Sequence, residues 1–174
     1  MQVMERIRKT EFLGREFLLW LWWRSETREG RFDLGEAGTV EAWVDRKIVL
    51  EGVGEGGAEK VTCTGDNPTL REARFALSRG KEVTEAMIRL VSGEEEWSFV
   101  LDARWLNFRS FKTPPVARDL SEDPEGVFYE KFFLTEKAVA AVDELFGEFI
   151  KIRVSPRWEA EEWPALLRWI REEE

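Results

Sequence analysis

Between residues 12 and 23 the apolar side chains recur at helical spacing. Phe12, Glu16, Leu19 and Trp23 share one line, and Phe17, Trp20 and Leu21 form an adjacent apolar stripe. The last two turns are apolar almost all round, which predicts a helix from Glu11 that is covered on at least two sides. Gly30 and the charges Arg24, Glu26, Arg28 and Glu29 end it. The period then changes. Residues 39–44 alternate in part, 47–50 form a β-branched run, and Asp45-Arg46 between them predicts a hairpin turn. Gly52, Gly54, Gly56 and Gly57 mark a flexible loop, after which Val61 and Cys63 alternate with Lys60, Thr62 and Thr64 in a strand over 59–64.

Asn67 and Pro68 have the chemistry of a helix start, and Gly80 that of its stop just beyond Arg79. Strands follow over 83–91 and 97–101, joined by a turn at Gly93, with a third over 106–111. Pro114, Pro115 and the segment 119–124 form an irregular connection to a helix over 125–150, interrupted at most once. A last amphipathic piece, punctuated by Pro156 and Pro164, carries Trp158, Trp163, Leu166, Leu167, Trp169 and Ile170. This order predicts an α+β fold: a largely antiparallel sheet packed by a Trp-rich N-terminal helix, a short middle helix and C-terminal helices. One domain is expected over 1–174, with 124–174 as a candidate small helical subdomain. Nine tryptophans point either to core packing or to a subunit interface, for which Trp163 and Trp169 are the best candidates.

Composition narrows the function classes. The chain is 43% hydrophobic and 35% charged, a globular mixture with a charged surface. Its longest apolar run, residues 17–23, is far short of the roughly 20 residues that span a bilayer. The opening Met1-Gln2-Val3-Met4-Glu5-Arg6 lacks the features of a signal peptide, and Cys63 is the sole cysteine, so a reducing cytoplasm is expected. Histidine is absent, which excludes a Ser-His-Asp triad, a Cys-His dyad and a His-bearing zinc site within this chain. The net charge of −9 repels nucleic acid unless basic residues gather locally.

The remaining candidates for chemistry are few. Asp33, Asp45, Asp66, Asp102, Asp119, Asp123 and Asp143 show no metal-ligand spacing, although Asp102 closes an apolar strand and stands either at a sheet edge or as a turn cap. Cys63 lies on a predicted strand and reads as a buried structural thiol. The glycines at 52–57 match no phosphate-binding motif. The basic residues are more informative. Arg104, Arg109, Lys112 and Arg118 lie in an acid-free stretch, 103–118, interleaved with Trp105, Phe108 and Phe111. Arg71, Arg74, Arg79 and Lys81 form a second cluster in which Glu72 is the only acid. Such segregation fits a backbone-contacting basic patch; the plainer reading is that these cations lie over apolar surface and pair with glutamates.

The phrase Glu11-Phe12-Leu13-Gly14-Arg15-Glu16-Phe17-Leu18-Leu19-Trp20-Leu21-Trp22 resembles one in longer members of the recombination-associated protein RdgC family. Gly80-Lys81-Glu82-Val83-Thr84 is similar to the family's Gly-Lys-x-x-Thr segment. Trp97-Ser98-Phe99-Val100-Leu101-Asp102-Ala103, Phe128-Tyr129-Glu130 and Ser155-Pro156-x-Trp158 extend the likeness, which corresponds to the C-terminal half of those proteins. The resemblance implies a nucleoid-associated protein whose ring-shaped homodimers bind double-stranded DNA with little sequence preference and modulate RecA-dependent recombination. The residues themselves show no recognisable catalytic apparatus, so a non-enzymatic protein with no cofactor, small-molecule substrate or membrane partner is expected. The resemblance carries over only Lys81, as a phosphate contact. Charge adds Arg71, Arg74, Arg79, Arg104, Arg109 and Lys112 as DNA-binding candidates. The alternative is a protein-interaction or oligomerisation module on the same scaffold without DNA affinity.

Overall fold

The computed structural model describes residues 3–35, 38–65, 69–117 and 119–171. Six strands form one sheet: β1 (Arg31–Asp33), β2 (Thr39–Gly54), β3 (Gly57–Thr64), β4 (Glu82–Ser92), β5 (Glu95–Asp102) and β6 (Phe108–Lys112). The order is β1-β2-β4-β5-β6, every pairing is antiparallel, and β3 pairs with the second half of β2 on the edge whose first half pairs with β1. The helices are α1 (Val3–Thr27), α2 (Thr69–Ser78), α3 (Pro124–Arg153) and α4 (Trp163–Arg171), with a π-helical turn at Trp158–Glu162. The α+β class with an antiparallel sheet is therefore as the periodicity predicts.

One element differs in kind. The expected hairpin at Asp45-Arg46 is a bulge inside a single 16-residue strand, β2. Arg46 takes a left-handed φ of 60°, and the β4 register jumps between Val44 and Ile48. The local turn chemistry is real, but β4 pairs with β2 on both sides of it, so the chain kinks rather than reverses. The chain does reverse within the glycine segment, but only at Glu55-Gly56: Gly52 and Gly54 belong to β2 and Gly57 opens β3, so most of the expected loop is paired strand. The short β1, which has no sequence signal of its own, forms because Phe32 can pair with Val40 and reach the core.

Pleat alternation sends one face of the sheet inward. Ala42, Val44 and Ile48 of β2 stand beside Leu90, Ile88 and Ala86 of β4, which in turn stand beside Trp97, Phe99 and Leu101 of β5. All are buried. Against them lies α1, with Phe17, Leu18, Trp20, Leu21 and Trp22 essentially removed from water. It packs on β2 and β4 on one side and touches α3 and α4 on the other, which is why its last turns are apolar all round. Gly14 permits the closest approach: a Cβ there would sit 1.7 Å from the Ala103 carbonyl oxygen.

The helix expected over 125–150 is a single unbroken α3. Asp123 caps it by accepting from Gly126 N at 2.9 Å, and Pro124 occupies the first turn, where its missing N–H costs nothing. The Trp97 indole donates to the Leu134 carbonyl at 2.9 Å, fixing α3 over the sheet. At its far end Arg153 pairs with Glu16 of α1 at 2.6 Å. Phe149 then joins Phe17, Trp20 and Trp158 through ring contacts of 5.6–5.8 Å.

Candidate binding surfaces

The two basic clusters stand on different elements. Helix α2, with Arg71, Arg74 and the adjoining Arg79, packs on β3, β2 and α4, whereas Arg109 and Lys112 lie on β6 across three strand positions. Arg109 nonetheless reaches across β5 to Glu85 of β4, the strand next to β2.

Their members have unequal roles. Arg71 and Arg79 are exposed around the exposed ring of Phe75. Arg74 turns inward: its guanidinium lies 5.0 Å from the Trp169 ring centroid and donates to the Trp169 carbonyl at 2.5 Å, tying α2 to the last turn of α4. Lys81 is only 12% exposed, and its ammonium sits 2.6 Å from a Glu59 carboxylate oxygen. A phosphate at Lys81 would have to displace that carboxylate. Arg109 is likewise 2.6 Å from Glu85. Burial alone would raise the Glu85 pKa, but the hydrogen bond and charge of Arg109, with Lys47 and Lys60, hold it below its ordinary value. Arg104 stacks on Trp105 at 5.5 Å, and Trp105 is half exposed. Lys112 is exposed on β6. Arg118, Asp66, Asn67 and Pro68 lie outside the described residues.

The outward face of the sheet is laced with ion pairs. Arg89 approaches Asp45 and Glu96, both at 3.6 Å, and lies 5.9 Å over the Trp43 ring, while Lys47 meets Glu85 at 3.7 Å. Each of these cations thus faces a carboxylate.

Candidates for catalysis find no supporting geometry. Cys63 is buried on β3, and burial, followed by the charge of Glu72, pushes its thiol pKa up, away from nucleophilic character. Asp102 caps the β5–β6 turn, accepting from the backbone N–H groups of Arg104 and Trp105 at 3.1 and 2.9 Å. Among the described residues no three of Asp, Glu and Cys gather as metal ligands. An open hollow beside β1 and α3 presents Asp33, Glu144, Glu148 and Lys151, with no serine, threonine or cysteine among its described lining residues.

The buried charge is structural. Glu162, in the π-helical turn, is covered by the fold and sits 2.9 Å from Arg157 and 3.6 Å from Arg28. Arg24 lies nearby over the rings of Trp20 and Phe32 at 5.2 and 5.0 Å. Its pKa is lowered, by burial first and then by Arg28.

Of the two tryptophans expected at an interface, Trp169 belongs to the interior. Trp169 is buried against Trp22, and Trp163 is half buried, stacked on Trp158 at 5.7 Å. The exposed aromatics are elsewhere. Phe128, Tyr129, Phe132 and Phe133 of α3 keep 63%, 61%, 55% and 63% of their surface in water. Phe128 contacts both Tyr129 and Phe132, and Phe133 stands one turn beyond Tyr129 on the same exposed side, so the four rings neighbour one another. On the opposite side of the same helix, Val127, Leu134, Ala138, Val142 and Leu145 are buried. A signal existed in the sequence: the runs 127–129 and 132–134 place apolar residues on both faces of one helix, more than a single core contact needs.

No known family model matches the chain, and no curated protein is recognisably similar to it in sequence. The likeness to the RdgC family rests on the phrases quoted above alone. No helix among the described residues is long and apolar enough to cross a membrane.

Proposed function

We propose that the chain is a non-enzymatic protein-interaction module whose working surface is the outward face of α3. The observation that carries this reading is the four-ring patch, because an element of a folded domain rarely leaves adjacent large aromatics in water unless something covers them. Ion pairing of Lys81 and Arg109, and the inward turn of Arg74, favour this reading over a continuous DNA-binding face. A photo-crosslinking amino acid at Tyr129 should give protein adducts in cells, whereas the same probe at the exposed Val53 should not. Adducts at neither position, or equally at both, overturn the reading.

A second reading, duplex DNA binding of RdgC type, is favoured by the exposed Arg104–Trp105 pair together with the exposed Arg71, Arg79 and Lys112. It requires salt-sensitive backbone contacts. Titration of duplex DNA at low and moderate salt tests it, with Arg71, Arg79, Arg104 and Lys112 changed together to alanine. Absence of binding at low salt, or binding that the fourfold variant retains, dismisses it.

A further inference from the structure

The aromatic patch on α3 has ends as well as a middle. Residues 128, 129, 132 and 133 occupy the side of the helix facing away from the core, and on the same side Glu125 stands one turn before them and Glu136 one turn after. Both glutamates are exposed, and Glu122 and Asp119 are exposed on the approach to the helix. Lys131 is exposed on the flank, but Lys137 is drawn to Glu95. The outward face therefore reads as two turns of aromatic surface bracketed by carboxylates.

Resting on the interaction reading above, we infer that this face docks a basic amphipathic helix: apolar side chains against the four rings, with lysine or arginine about three turns apart to meet Glu125 and Glu136. Charge and area both favour this occupant over a second copy of the chain. The antiparallel register that lays Phe128 on the Phe133 of a second copy, and Tyr129 on its Phe132, also sets Glu125 against Glu136 at both ends. Like charges so placed oppose association. The four rings offer about 500 Å² at roughly 200 Å² per large aromatic. A stable dimer interface takes about 800 Å² from each partner. A single helix laying its apolar stripe across the patch is matched to the smaller area.

Fluorescence anisotropy with two synthetic amphipathic helices, one of leucine and lysine and one of leucine and glutamate, tests the inference. The lysine peptide should bind at least about tenfold more tightly than the glutamate peptide. Phe128→Ser combined with Phe132→Ser should lose that binding, and Glu125→Lys combined with Glu136→Lys should invert the preference. If the double serine variant does not fold, Tyr129→Arg alone should weaken the lysine peptide. Equal binding of both peptides, binding unaffected by these changes, or an aromatic-dependent dimer in sedimentation that excludes the peptide each overturns the inference. Adducts at Tyr129 with no peptide preference would overturn the basic-helix inference and leave the interaction reading standing.

Discussion

The Trp169 indole meets that of Trp22 edge-on, with ring centroids 4.9 Å apart and planes at 88°, and a single carboxylate, Glu26, accepts from both indole nitrogens at 2.7 and 3.1 Å. This contact closes the chain's last helix onto its first. Arg74 covers the outer side of Trp169, so three elements converge on one ring. Trp169→Ala removes a buried indole, leaves a cavity and takes away the ring beneath the Arg74 guanidinium. Arg74 keeps its bond to the backbone carbonyl of residue 169, so the loss is that of the ring and its contacts, about 3–5 kcal/mol in urea denaturation. Trp169→Phe, which keeps a ring but no donor for Glu26, should cost clearly less.

Gly14 marks the closest contact between α1 and the end of β5. Because the clash of an added methyl is with backbone, at 1.7 Å from the Ala103 carbonyl oxygen, no rotamer change relieves it. Gly14→Ala should destabilise by about 1–3 kcal/mol although alanine is the better helix former. A melting temperature equal to or above that of the wild type would contradict this packing.

Glu162 is a buried acid whose partners, Arg28 and Arg157, are each nearly half exposed. Glu162→Ala leaves Arg24, Arg28 and Arg157 facing one another without the carboxylate. The partial hydration of two of them limits the loss to about 1–3 kcal/mol. Adding Arg157→Ala should recover part of that loss, and a double-mutant cycle measures the coupling.

The Glu85 carboxyl ionises at a lower pH in the fold than in the unfolded chain, where nothing replaces Arg109. As pH falls, the unfolded state therefore takes up its proton first. The stabilisation is complete above the ordinary carboxylate range, near pH 4.3, and is lost as pH drops through the depressed folded value. Arg109 is about half exposed, so the effect is held to about 1 kcal/mol or less. The melting-temperature difference between wild type and Glu85→Gln should shrink below about pH 4. A constant difference down to pH 3 would assign the loss to packing instead.

Much of the fold was legible because local chemistry and global pairing agree. The Gly80 stop and the alternation of 83–91 and 97–101 each act over a few residues, and nothing later in the chain opposes them. The Asp45-Arg46 turn was not legible as a bulge, because its outcome depends on β4, distant in sequence, pairing on both sides. The candidate site divides in the same way. Arginines were locatable, but Glu59 beside Lys81 and Trp169 beneath Arg74 lie 22 and 95 residues away.

The sequence by itself determined the α+β class, the absence of histidine chemistry and the pairing of apolar runs on both sides of the helix over 125–150. Those follow from residue type and period. Only the tertiary structure decided which apolar face is core and which is surface. It turned Trp169 inward against Trp22 and left Phe128, Tyr129, Phe132 and Phe133 in water. Periodicity records which side chains share a face, but whether that face is covered depends on where the sheet and the other helices come to rest.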